Sequence, residues 1–286
     1  MSLSYEDHVV TVDGLRLRYI EAGQGHPVIF LHGGSLGSSA DVFRRNLRDF
    51  VAAGYRAIAF DQPGFGLSDL PADHSGAYRR EAIPKFIAAL GLERPVCVAH
   101  SQAGGMAVRL ALKHPALFSH LIILGTGSLL PKLDGGGDKG AAVQQRLERR
   151  MAVQEPMLED TRKLLEANLY HHELITDEEL ALRHARSLGQ AFTAFVARND
   201  MADASQKKAS EDVPIWQKLK DVPVPMLMIY GANDRAQAAQ RVRLLQELEP
   251  SLNLHLVDNC KHLVPWDAQA QVEAMSLVFL KGHSAR

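Results

Sequence analysis

The chain has 286 residues, 46% hydrophobic and 23% charged, with a formal net charge of -1. This composition is typical of a globular protein and excludes a disordered chain or a coiled coil. Because a charge so close to zero supplies no basic field, nucleic acid and anionic membranes are poor candidates as partners, and a small-molecule substrate is expected.

The first 25 residues carry charges throughout and lack the apolar core of a signal peptide. No apolar run reaches the length of a membrane span. We therefore predict a cytoplasmic protein. Two cysteines, Cys97 and Cys260, are too few for a disulfide framework, and we predict that both are reduced.

The pattern of apolar runs predicts an α/β fold. Asp13-Gly14 joins β-prone residues 9–12 and 15–22, which predicts an antiparallel hairpin. From Pro27 onward, short apolar strands alternate with helices, the pattern of a mostly parallel central sheet flanked by helices. The further predicted strands are 28–31, 57–60, 96–99, 121–124, 226–230 and 252–257. The predicted core helices are 40–53, 78–90, a helix that follows strand 96–99 and ends at about residue 114, 237–248 and 268–280.

Between residues 131 and 220 this alternation stops, and a charged, helical segment follows a glycine-rich stretch. We predict a helical lid insertion there, in a core made of residues 1–130 and 221–286. Its predicted helices are 141–154, 160–169 and 177–197, and the last of them starts at a capping box formed by Thr176 and Glu179.

Ser101 ends an apolar run and has alanine two residues before it and two residues after it, Ala99 and Ala103. A strand that turns at once into a helix strains the backbone of the residue between them. Only small side chains at those two flanking positions avoid a clash. The spacing therefore predicts a nucleophile elbow with Ser101 at its tip.

A serine hydroxyl is a weak nucleophile at neutral pH, so it needs a histidine base that is oriented by a carboxylate. Asp234 follows predicted strand 226–230, and His262 follows predicted strand 252–257. The chain order Ser, Asp, His is the one expected around an elbow serine. We predict Ser101 as nucleophile, His262 as base and Asp234 as the orienting acid.

Attack on a carbonyl creates an oxyanion, which needs backbone N–H donors already in place. The turn His32-Gly33-Gly34 directly follows predicted strand 28–31 and offers the N–H of Gly34. Gln102, the residue after the nucleophile, offers the second N–H. These two residues form the predicted oxyanion hole.

Taken together, these motifs resemble those of the α/β-hydrolase family over nearly the whole chain: the turn at 32–34, the segment DQPGFGLSD at 61–69, the elbow, the segment at 231–235 and His262. This resemblance implies an α/β-hydrolase fold with the lid insertion.

Within that family, residues 155–183 resemble the lid of the meta-cleavage product hydrolases, which split a carbon–carbon bond in ring-opened aromatic dienoates. This narrower resemblance implies that Arg183 binds the substrate carboxylate; the alternative is an arginine exposed to solvent. Members of this group are often dimers or larger, so a homo-oligomer is possible.

Three residues depart from the narrower group: Ser35 stands where the turn usually continues with glycine and proline, His100 where asparagine is usual, and Leu263 where tryptophan is usual. All three are expected to contact substrate. His100 either donates a hydrogen bond to it or packs beneath the elbow. The departures favour hydrolysis of an ester or lactone that carries a carboxylate or an aromatic group.

Two other functions stay open at this point: carbon–carbon bond hydrolysis of a meta-cleavage product, and a non-catalytic receptor on the same fold. None of the three needs a cofactor or a metal. No carboxylate or cysteine stands at the spacing of a metal ligand around His171, His172 and His184, so we expect these histidines on a solvated surface.

Overall fold

The computed structural model describes residues 5–133, 150–205, 213–235 and 237–283. One eight-stranded sheet runs through them in the order β1-β2-β4-β3-β5-β6-β7-β8. The strands in chain order are β1 (Glu6–Val12), β2 (Leu15–Ala22), β3 (His26–Leu31), β4 (Tyr55–Phe60), β5 (Val96–His100), β6 (Leu121–Leu124), β7 (Met226–Gly231) and β8 (Asn253–Val257).

The strand directions confirm the predicted hairpin and the predicted mostly parallel sheet. β1 pairs with β2, and β2 with β4, in antiparallel fashion. Every other pair is parallel. The central strands β5 and β6 are buried along their whole length, which is why their sequences are apolar on both faces.

Helices cover both faces of the sheet, and alternate residues of each strand pack against one set or the other. Ile29 and Ile58 face the helices α2, α3 and α7, whereas Val28 and Ala57 face α1, α8 and α9. The helices are α1 (Leu47–Ala52), α2 (Gly76–Ala89), α3 (Gln102–Lys113), α4 (Leu158–Asn168), α5 (Asp177–Ala185), α6 (Gln190–Ser205), α7 (Ala238–Leu248), α8 (Val264–Asp267) and α9 (Gln269–His283). The predicted fold class is therefore confirmed.

Three predicted helices differ from the structure. The helix predicted at 40–53 is a short 3-10 turn, Ala40–Phe43, followed by α1. Here the buried carboxylate of Asp61 accepts the N–H of Ala40 and fixes the turn. The helix predicted at 177–197 is divided into α5, which ends at Ala185, and α6, which begins directly after Gly189 with its positive φ of 60°. The helix predicted at 268–280 is preceded by the separate α8.

Helices α4 to α6 belong to the segment between β6 and β7, which we call the insert. The insert contacts loops that follow the carboxyl ends of the strands. Arg183 of α5 bonds to Ser35 after β3, and the carbonyl of Asn168 in α4 accepts the N–H of Leu263 after β8. The predicted helix 141–154 and the glycine stretch 135–140 lie largely or wholly outside the described residues. That the insert acts as a lid stays a prediction.

None of the helices in the described parts of the chain combines the length and apolar composition that crossing a bilayer requires.

Candidate active site

Ser101 lies between the end of β5 and the start of α3, with φ 56° and ψ -123°. This is the strained backbone that its small neighbours predict. Its N–H donates to the carbonyl of Leu124, and its own carbonyl accepts the hydroxyl of Thr126 at 2.8 Å. A Cβ atom at Gly104 would lie 2.1 Å from that hydroxyl oxygen, so only glycine allows α3 to pack this closely.

The structure brings the three predicted catalytic side chains into one line of hydrogen bonds. Ser101 Oγ lies 2.8 Å from His262 Nε2, and His262 Nδ1 lies 2.9 Å from Asp234 Oδ2. Burial acts to raise the pKa of Asp234, but the neighbouring His262 and Arg235 outweigh it and hold that pKa below its usual value. The arrangement can move a proton from the serine to the histidine and keep the resulting imidazolium beside a carboxylate.

The predicted oxyanion-hole residues also meet. A Cβ atom at Gly33 would lie 2.9 Å from Ser101 Cβ, and one at Gly34 would lie 2.3 Å from Gln102 Oε1. The glycine turn therefore lies directly against the elbow. Gln102 is the first residue of α3, so its N–H has no partner within the helix and stands at the positive end of the helix dipole.

Arg183 is buried, so the alternative of a solvent-exposed arginine is wrong. One of its amino groups donates to the hydroxyls of Ser35 at 3.0 Å and Ser38 at 3.4 Å. Among the described residues, no carboxylate lies within ion-pair distance of it, whereas Arg186 of the same insert pairs with Asp41 at 2.8 Å. Burial lowers the pKa of Arg183 to about 10, so the guanidinium stays charged at neutral pH.

His100 takes the second of its two predicted roles and packs beneath the elbow. It is buried, and its Nε2 donates to the carbonyl of His262 at 2.8 Å. Burial, together with the neighbouring His262, lowers the pKa of His100 to about 3, so the ring is neutral. Leu263 packs in the core with Val264 and Trp266. The other role considered for His100, a hydrogen bond to substrate, is therefore not favoured, and the substrate contact predicted for Leu263 stays a prediction.

A cavity of about 420 Å³ opens beside Ser101 and His262. Its lining includes apolar side chains such as Leu130 and cationic ones such as Arg241. His100 and Leu263 are not part of this lining, and neither is Arg183, which lines a separate, smaller cavity with Gly37 and Arg186. In the parts of the chain that the structure describes, no group of three or more His, Cys, Asp or Glu residues is arranged to hold a metal ion.

Two residues at the site were missed by the sequence reasoning. Asn168 lies at the end of α4; its side-chain oxygen accepts a hydrogen bond from Arg235, and its carbonyl accepts the N–H of Leu263 at 2.9 Å. Nothing in the sequence indicates these contacts, because they join segments far apart in the chain. Arg79 of α2 donates to the side-chain oxygen of Gln102 at 2.9 Å. Its spacing from the buried Ala82 and Ile83 does place it on the buried face of α2.

Comparison with known proteins gives a consistent result. The sequence profile described as "alpha/beta hydrolase fold" matches residues 26–269. A 2-hydroxy-6-oxo-6-phenylhexa-2,4-dienoate hydrolase of Burkholderia cepacia is 29% identical over 94% of this chain and 92% of its own. A 2-hydroxy-6-oxononadienedioate/2-hydroxy-6-oxononatrienedioate hydrolase of Comamonas testosteroni is 27% identical over the same shares. The crystal structure of a meta-cleavage product hydrolase is 26% identical, with a TM-score of 0.76, over 96% of this chain and 98% of that one.

Proposed function

This chain belongs to the α/β-hydrolase fold family, and we propose that within it the protein is a serine hydrolase that cleaves a carbon–carbon bond of a meta-cleavage product, a 2-hydroxy-6-oxo-hexa-2,4-dienoate. The observation that carries the proposal is the charge of Arg183. A buried guanidinium without a carboxylate partner among the described residues is costly unless a ligand neutralises it. The carboxylate of a dienoate would do so when the bound substrate extends from the cavity beside Ser101 to Arg183, which lies outside the lining of that cavity.

The proposed reaction uses each residue of the hydrogen-bonded line. His262 first moves a proton from the 2-hydroxyl group to C5, which converts the dienol into a ketone. Ser101 Oγ then attacks the C6 carbonyl while His262 takes the serine proton, and Asp234 stabilises the imidazolium. The N–H groups of Gly34 and Gln102 hold the oxyanion. The C5–C6 bond breaks, C5 receives the proton from His262, and water hydrolyses the acyl group left on Ser101.

The ester or lactone reaction predicted from the sequence has less support. It rested on three residues expected to reshape the pocket. However, His100 donates its hydrogen bond to the carbonyl of His262, and Leu263 packs in the core. Ser35 is used to hold Arg183. The three departures therefore do not argue against a dienoate substrate. The relatives that match this chain over most of its length are named as dienoate hydrolases. The predicted cytoplasmic location and the possible homo-oligomer stay predictions.

The first test compares kcat/KM on a 6-phenyl 2-hydroxy-6-oxohexadienoate with kcat/KM on a neutral short-chain p-nitrophenyl ester. We expect the dienoate to be preferred by at least about 100-fold, because only this substrate uses Arg183. Ser101→Ala should abolish both activities. A preference for the ester would establish an esterase, and turnover that survives in Ser101→Ala would exclude the serine mechanism.

The second test uses Arg183→Gln, with the neutral ester as a control in the same enzyme. We expect KM for the dienoate to rise by about tenfold or more, because a charged hydrogen bond to the carboxylate is lost. The ester parameters should stay close to those of the parent. An equal loss on both substrates would show that Arg183 supports the fold and does not recognise a carboxylate.

A further inference from the structure

We propose that Arg79 is a positioning residue of the oxyanion hole, which holds the side chain of Gln102 against the Gly34 turn and keeps an unneutralised positive charge there. The inference rests on the proposed function only in requiring that Ser101 attack a carbonyl. It holds for an ester as well as for a dienoate.

The first step of the argument is contact. Arg79 reaches from α2 to the start of α3 and donates to Gln102 Oε1 at 2.9 Å. That same oxygen lies 2.3 Å from the place where a Cβ atom of Gly34 would stand. The side chain of Gln102, held by Arg79, thus packs against Gly34, the other residue whose N–H group forms the proposed hole. The ring of Phe65, centred 5.3 Å from the guanidinium carbon, supports Arg79 from another side.

The second step is charge. Arg79 is 3% exposed, and in the described parts of the chain no carboxylate lies within ion-pair distance of it. Its Nε atom is buried without a hydrogen-bond acceptor. Although burial lowers the pKa of Arg79 to about 10, the group remains a cation at neutral pH.

A buried and unpaired charge destabilises a fold. The same charge becomes favourable when a negative charge develops nearby, as it does on the carbonyl oxygen that Ser101 attacks. Donors and charges already in place at such a site stabilise the transition state more than the substrate. Arg79 should therefore lower the stability of the resting enzyme and raise its rate, which is the opposite of what a purely structural arginine does.

The test replaces Arg79 in the full-length protein by Met and by Lys, and measures kcat, KM and Tm on both the dienoate and the p-nitrophenyl ester. For Arg79→Met we expect kcat to fall by about tenfold or more with KM nearly unchanged, and Tm to stay level or rise. Arg79→Lys keeps a charge and should recover part of kcat. Arg80→Met is the matched control, because Arg80 is the next residue of α2 but pairs with Glu81, and it should behave as the parent.

A second variant keeps the test decisive if Arg79→Met folds poorly. Gln102→Met removes the acceptor of Arg79 but keeps the backbone N–H of residue 102. We expect a comparable loss of kcat, and no further loss in the double variant, because the two side chains act as one unit.

Two results would overturn the proposal. The first is a kcat for Arg79→Met within about twofold of the parent; the second is a fall in Tm together with a lower kcat and a higher KM that Arg79→Lys does not recover. Failure of the proposed function is separate. If the parent turns over the ester but not the dienoate in a Ser101-dependent way, the carbon–carbon assignment fails while the Arg79 effect is still measured on the ester. If the parent turns over neither, both proposals are wrong.

Discussion

The two sides of Ser101 are held by different kinds of interaction. On the side of the base, three successive residues are each tied by a neutral backbone group: the N–H of Lys261 donates to Asp267, the carbonyl of His262 accepts from His100, and the N–H of Leu263 donates to the carbonyl of Asn168. These bonds fix the position of the imidazole, and of their three partners only the Asp267 carboxylate carries a charge.

On the side of the oxyanion, three arginines act on the residue that precedes the glycine turn; Arg79 and Arg183 are buried, and Arg198 is half-buried. The pKa of the neighbouring His32 is lowered to about 3, chiefly by burial and further by the charges of Arg79, Arg183 and Arg198. The hydrogen bond of His32 with the carbonyl of Gly33 acts in the opposite direction and does not outweigh them. The base needs correct geometry, whereas the oxyanion needs both geometry and positive charge, and each side of the site supplies what its chemistry requires.

The largest effect should come from the oxyanion side, through Gly34→Ala. The added Cβ atom would lie 2.3 Å from Gln102 Oε1 and would push that side chain away from Arg79. Since removing one oxyanion donor typically costs about 100-fold or more, we expect kcat to fall between about tenfold and 100-fold. The measurement is steady-state kinetics on the substrate with the higher kcat/KM.

Gly282→Ala is the control for that variant, because nothing lies within 4 Å of a Cβ atom at Gly282. The prediction fails if Gly34→Ala keeps the kcat of the parent. In that case the glycine turn is a packing requirement, and the contrast between the two sides loses its basis.

A smaller effect is expected on the base side, from Asn168→Ala. This change removes the acceptor of Arg235, beside Asp234, while the backbone bond to Leu263 can remain. Losing one hydrogen bond of a charged group corresponds to about 1.5 kcal/mol, so we expect kcat to fall by about tenfold. Asn168→Asp keeps an acceptor and should recover most of the activity.

Asn199→Ala provides the matched control for Asn168→Ala. Asn199 lies on α6 and bonds to the carbonyl four residues before it, as Asn168 does on α4. Within the described parts of the chain it has no bond to the loops of Asp234 or His262. Equal losses of kcat in the two alanine variants would mean that Asn168 stabilises the insert and does not position the acid and the base.

Residues that depend on local rules could be predicted from the sequence. The elbow at Ser101 is required by a strand that turns directly into a helix, and Asp234 and His262 follow strands that could be recognised by their apolar runs. The divided helix at 177–197 could not be predicted, because the capping box at Thr176 marks only where the first segment begins and not where it ends.

Residues that act through long-range contacts could not be placed. Asn168 and Arg79 matter because of what the fold brings beside them, and neither stands in a motif. The sequence also assigned His100 to the pocket as one of two options. Only the structure shows that its ring donates a hydrogen bond to a carbonyl 162 positions away in the chain.

The smallest effect is expected on stability and not on activity, and it comes from the titration of His100 on the base side. Its pKa is lowered to about 3 in the folded protein, against an ordinary value of 6.5. Between these two values the unfolded chain binds more protons than the folded one, so stability rises with pH. The contribution of His100 is therefore complete above about pH 6.5 and is lost as the pH falls toward 3.

His100→Asn removes this titration and keeps an N–H donor at the same position. As the pH falls from 6.5 to 5, the unfolding free energy of the parent should decrease by about 1.6 kcal/mol more than that of the variant. A full proton difference contributes about 1.4 kcal/mol per pH unit, and the unfolded imidazole is half protonated at pH 6.5. His32, whose pKa is also lowered, and Asp61, whose pKa burial raises to about 6, are present in both proteins and cancel in the difference. Parallel pH profiles from urea unfolding would show that His100 can accept a proton in the folded state, and that the base is then held by a charged group as the oxyanion is.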